Sequence, residues 1–210
     1  MKHGSLLVAL STIWLMQAQT AWAGDRLTPG QFRIRSLNYG GSGCPAGTVA
    51  ENISPDLQAF TLIFDSYIAE VGPGVALSAK RKNCQLTFDF DYPNGWSFAL
   101  LSLDSRGYMA LDQGVSGTQQ VRFYFQGNAL TATLNTVFQG PADRDYQIRD
   151  TVPTSSLVFS PCGPQRALNV NTSINLSNTF NRNGFGLLTQ DSIDGHISQI
   201  YSIIWRRCSN

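Results

Sequence analysis

Between Lys80 and Trp96 the chain reads KRKNCQLTFDFDYPNGW, and its apolar and polar side chains alternate. Leu86, Phe88, Phe90 and Tyr92 fall on one side of a period-2 strand, and Gln85, Thr87, Asp89 and Asp91 on the other. Cys84 shares the aromatic parity, so its sulfur is expected to point inward. Pro93-Asn94-Gly95 ends the strand, because proline has no amide to donate and Asn-Gly tolerates positive φ. A second strand starts at Trp96. The pattern predicts a core hairpin anchored by a cysteine.

The same alternation recurs along the chain. Leu57–Ser66 carries Phe60, Leu62 and Phe64 on one face. Trp96–Leu103 is apolar on both faces, as in a central strand. Ser105-Arg106-Gly107 reads as an interruption before Tyr108–Asp112. Thr118–Gln126, Leu130–Phe138, Ala167–Leu176 and His196–Cys208 follow as strands. Asn52–Asp56 and Asn178–Gly184 read as turns, and Gly140–Asp150 as a charged loop. No amphipathic helix is expected beyond one turn near Pro55. About nine to eleven short strands at near-regular spacing predict an all-β fold, an antiparallel β-sandwich of jelly-roll-like or Greek-key type. No linker or repeat divides it, so residues 24–210 are expected to form a single domain.

Residues 1–23 read as a signal peptide. Lys2 supplies charge, the apolar run from Leu6 to Met16 is too short to span a bilayer comfortably, and Ala21-Trp22-Ala23 fits the small-x-small cleavage rule. The mature chain then starts at Gly24 with no membrane span. It is expected outside the cytoplasm, extracellular or, in a Gram-negative host, periplasmic. The chain has 15 Lys and Arg against 14 Asp and Glu. Cleavage removes Lys2 and no acid, which brings the mature charge to zero. Such a surface gives no electrostatic case for nucleic acid or an anionic membrane.

The four cysteines, Cys44, Cys84, Cys162 and Cys208, behind a signal peptide imply two disulfides. Three connectivities exist. Cys44–Cys84 and Cys162–Cys208 are preferred, since each stays within one half of the chain. Each closes a loop of roughly 40 to 50 residues, a stabilisation on the order of 4 kcal/mol in the chain-entropy model. A four-cysteine zinc site would need C-x-x-C spacing, which is missing. No metal site and no cofactor are expected.

Catalytic signatures are sparse. The mature chain holds one histidine, His196, and no G-x-S-x-G elbow. Gly40-Gly41-Ser42-Gly43 is followed by Cys44-Pro45 rather than a helix and a lysine, so it reads as a tethered bend and not a phosphate loop. Lys80-Arg81-Lys82 reads as an edge-protecting turn or an anion contact. Asp89 and Asp91 project from one polar face roughly 7 Å apart. Asp65 and Asp104 are candidates to join them from other strands; a glycosidase needs two carboxylates at about 5 to 10 Å across a groove. Arg106 or Arg122 is expected to relieve their repulsion. Sugar-binding surfaces combine flat rings with amides and carboxylates. The expected binding site is therefore Asp89, Asp91, Tyr92, Asn94 and Trp96, with Tyr108 and Tyr124 as further candidate rings. The leading reading is a secreted binding module for a glycan or other extracellular polymer. The alternatives are a secreted hydrolase using a carboxylate pair, or a structural envelope or matrix protein.

Several longer stretches carry a resemblance. GGSGCPAGT at 40–48, IAEVGPGVALSAKRKNCQLTFDFDYPNGW at 68–96 and RGYMALDQGVSGTQ at 106–119 resemble domain-of-unknown-function family 4360, as do TVPTSSLVFSPCG at 151–163, LLTQDS at 187–192 and the closing QIYSIIWRRC. The likeness runs in order through the mature chain and includes all four cysteines. It implies a small secreted protein of fungi or bacteria with no assigned activity, and it brings no catalytic residues.

Overall fold

The structure is a computed structural model that describes residue 27 and residues 31–55, 59–190 and 197–209. The expected signal peptide and His196 lie outside the described residues. Twelve strands are present: β1 (Arg33–Gly40), β2 (Val49–Ile53), β3 (Ala59–Phe64), β4 (Ile68–Val71), β5 (Arg81–Asp91), β6 (Trp96–Leu111), β7 (Ser116–Phe125), β8 (Ala132–Gln139), β9 (Ala142–Thr151), β10 (Leu168–Ser177), β11 (Gly186–Thr189) and β12 (Ile197–Arg207). They form two antiparallel sheets. One runs β1-β5-β10-β7-β8, the other β2-β3-β12-β6-β11-β4 with β9 also on β6. Most neighbours are non-consecutive in sequence, as in Greek-key and jelly-roll sandwiches.

The expected fold class stands, with one strand more than the range read from the sequence. β2, β4, β9 and β11 add to the expected strands, while Trp96–Leu103 and Tyr108–Asp112 merge into the single strand β6. Ser105-Arg106-Gly107 does not break β6. Gly107 faces the interior where a Cβ would come 2.1 Å from the Thr189 carbonyl oxygen, so only glycine lets β6 pass. The charged stretch read as a loop is β9, which pairs with the second half of β6 from Ser102↔Thr151 to Leu111↔Ala142. Its outward positions are charged because that face meets water, which hid the strand from a count of apolar residues.

The inward parity of β5 holds. Cys84, Leu86, Phe88 and Phe90 are buried and pack with Phe32, Phe60 and Phe98 between the sheets. Each buried ring of this size contributes about 1.5–3 kcal/mol by leaving water. Cys44 is bonded to Cys84 and Cys162 to Cys208. The glycine-rich bend sits on β5 directly: the Gly43 amide donates to the Asn83 carbonyl at 2.9 Å. At Gly41 a Cβ would fall 2.2 Å from that same oxygen.

Candidate functional site

The sequence-predicted site residues divide between the outer face of one sheet and the core. Asp89 and Asp91 lie on the outer face of the five-stranded sheet, and both have partners. The Ser36 hydroxyl donates to Asp89 at 2.9 Å, and the Arg33 guanidinium donates to Asp91 at 2.8 Å. Arg33 on the neighbouring β1, rather than Arg106 or Arg122, answers the charge. Asn94 is exposed in the turn. The Tyr92 and Trp96 rings are buried, at 6% and 8% exposure, which corrects their expected place on a binding surface. Tyr92 keeps the inward parity of β5, packs edge-on against Phe98 and donates its hydroxyl to Ser160. Burial raises its phenol above the ordinary range. Trp96 is covered by the Arg207 guanidinium, 4.4 Å from its ring.

The expected convergence of Asp104 with Asp89 also fails. Ser105 points inward, where its hydroxyl accepts from Gln119 of the opposite sheet at 2.6 Å. Asp104, one residue away, therefore points out from the other sheet. There Arg149 grips it with two bonds of 2.6 and 2.8 Å. The two carboxylates face opposite sides of the sandwich. Much of the remaining outer face of the five-stranded sheet pairs with itself: Thr87 donates to Asn169, Asn171 to Gln85 and Gln120 to Asn135.

A concave feature lies on the other sheet. The register places Glu70, Leu187, Ala110 and Asp143 in one row across β4, β11, β6 and β9. Three strand spacings make this row about 14 Å wide. Leu187 and Ala110 form an apolar floor with a carboxylate at each side. The next row brings Tyr108 and Asp145 opposite each other. The Tyr108 hydroxyl donates to Asp143. That hydrogen bond, then partial loss of solvent, then the nearby negative charge of Asp143 and Asp145 hold the Tyr108 phenol above its usual range.

Phe185 closes one end of the cleft. Its ring is 55% exposed and leans on Gly72, where a Cβ would come 2.4 Å from a ring carbon. Its amide donates to the Asp112 carboxylate at 2.8 Å, and the Asp112 amide returns a bond to the Phe185 carbonyl at 3.0 Å. The backbone is thus held at the point where the ring leaves it. The cavity measures about 650 Å³; Val71, Val75 and Pro141 complete its apolar wall, and Glu70, Asp112 and Asp143 are its charged lining. All three acids are exposed. Among the described residues no three His, Cys, Asp or Glu side chains are placed to hold a metal ion.

Sequence reasoning missed Phe185, Glu70, Asp112 and Asp143 because they meet only where segments distant in sequence pair. One local sign exists. Phe180 and Phe185 stand in NTFNRNGFG, a turn too rich in Asn and Gly to bury both rings.

Fold and site together define a disulfide-bonded antiparallel β-sandwich with a surface cleft. Residues 30–208 match the family described as Domain of unknown function (DUF4360), and the chain belongs to that family. A relative from Arthroderma benhamiae, described as an uncharacterized secreted protein, is 44% identical over 187 residues, covering 89% of this chain and 76% of the relative. The protein is a secreted one, and among the described residues no helix is long and apolar enough to cross a membrane. Two solved structures overlap it only slightly. TmCBM61 in complex with beta-1,4-galactotriose has a TM-score of 0.28 and 10% identity, with 83% of this chain and 90% of that chain covered. The enzymatically active domain of bacteriophage CBA120 tailspike protein 4 has a TM-score of 0.27 and 16% identity, with 83% and 20% covered. Overlaps this small carry no argument about function.

Proposed function

We propose that the protein is an extracellular binding module for a hydroxyl-rich polymer, a glycan, and that the Phe185 cleft is where it binds. The observation that supports this reading is an exposed ring fixed at the end of an apolar floor with carboxylates on both sides. A pyranose has a flat C–H face and a rim of hydroxyls. The ring and the Leu187–Ala110 floor suit the face. Glu70, Asp112 and Asp143 suit the rim, since carboxylates accept hydroxyl hydrogens in bonds of about 1.5–3 kcal/mol. Three acids and no Lys or Arg in the lining argue against anionic polymers. A glycan array probed with the mature protein tests the reading. Neutral glycans are expected among the ligands, and Phe185→Ala is expected to weaken binding by at least about tenfold. Binding confined to sulfated or uronic glycans would overturn it. Release of new reducing ends from a bound glycan would point to hydrolysis instead.

A further inference from the structure

Three tripeptides in the chain read Asn-X-Ser with X other than proline: Asn52-Ile53-Ser54, Asn171-Thr172-Ser173 and Asn175-Leu176-Ser177. In a secreted chain each is a potential acceptor for an N-linked oligosaccharide, provided the folded surface has room for it. The structure separates the three. Asn52 is exposed on β2, the outermost strand in its sheet order. Asn175 is exposed near the end of β10. Asn171 is half-buried, and its Nδ2 donates to Gln85 at 2.8 Å. That nitrogen is the atom that would carry the sugar.

A second observation bears on Asn175. The register runs Asn175↔Thr118↔Val137 across the outer face. Val137 is 60% exposed there, an apolar side chain in a polar sheet. Two strand spacings, about 10 Å, separate it from Asn175. The first sugars of an N-glycan span such a distance and present a C–H face able to cover it.

We propose that Asn52 and Asn175 carry N-linked glycans when the chain passes through a eukaryotic secretory pathway, and that Asn171 stays bare. In the reaction the asparagine Nδ2 attacks the anomeric carbon of a lipid-diphosphate-linked oligosaccharide, the donor class of that pathway. A C–N bond forms, the C–O bond to the diphosphate breaks, the amide loses one proton and the lipid diphosphate leaves. The glycan on Asn175 covers the outer face of the five-stranded sheet, leaving the opposite face, with the Phe185 cleft, open.

The test is peptide mapping of the protein secreted from yeast, with and without an amidase that releases N-glycans and leaves aspartate behind. Glycans at Asn52 and Asn175 and an unmodified Asn171 are expected. Asn52→Gln and Asn175→Gln should each remove one glycan from the intact mass, and Asn171→Gln none. A glycan on Asn171, or an unmodified Asn52 or Asn175 in the parent protein, would overturn the proposal. Mapping the parent protein does not depend on the variants folding.

Discussion

Tyr108 and Asp143 form the most informative single pair in the cleft. The phenol is raised first because it donates to a carboxylate, then by partial loss of solvent and by the negative charge of Asp143 and Asp145. A group with a raised folded-state pKa contributes its stabilisation at pH below its ordinary value. That contribution is lost as pH rises through the folded value. The Tyr108–Asp143 bond should therefore persist through neutral pH and break only under alkaline conditions. Phenolate absorbance on titration should show one tyrosine ionising later in the parent than in Asp143→Asn; identical curves would deny the pairing. Gly72 offers a second test at this scale. A methyl group there meets the Phe185 ring at 2.4 Å, and Gly72 has a φ of +154°, a conformation that strains any residue with a side chain. Gly72→Ala is expected both to lower the unfolding temperature and to weaken ligand binding by displacing the ring, measured by thermal unfolding beside a binding titration; a variant unchanged in both would deny the contact.

At the scale of elements, the hairpin of β5 and β6 was the most legible part of the chain. Its period-2 pattern, its Pro-Asn-Gly turn and the inward parity of Cys84 are local properties, and they survive in the structure. The glycine-rich bend was legible as a bend, though its purpose was not. It lets the backbone approach Asn83 closely enough for Cys44 to reach Cys84. Cys84→Ser is expected to cost about 2–5 kcal/mol in denaturant unfolding, since the bend then lies against β5 with no covalent tie. A loss much below that range would show that the bend is held by its backbone bonds alone. What failed was β9. Its apolar positions are few because one face meets water, and alternation in charge is a weaker sign than alternation in hydrophobicity. The continuity of β6 through Gly107 was equally hidden, because the Thr189 carbonyl that requires a glycine comes from a distant strand.

At the scale of the molecule, the sandwich presents two outer faces of different character. The five-stranded sheet shows amides and hydroxyls bonded to one another, with Asp89 and Asp91 answered by Ser36 and Arg33. The other sheet shows a cleft with an exposed ring and unequal chemistry on its floor and sides. The sequence pattern could assign side chains to a face of a strand but not to a sheet. That is why Asp104 and Asp89 looked like partners and lie on opposite sides. It is also why the row from Glu70 to Asp143 was invisible: four strands separated by up to 117 positions in the chain, between Glu70 and Leu187, meet only through sheet order. The most direct test of the central claim compares three proteins in one titration with a neutral glycan selected from the array: the parent, Phe185→Ala, and the double variant Asp89→Asn with Asp91→Asn. Binding is predicted to fall at least about tenfold in Phe185→Ala and to be unchanged in the double variant. The reverse order, loss at Asp89 and Asp91 with Phe185→Ala unaffected, would contradict it.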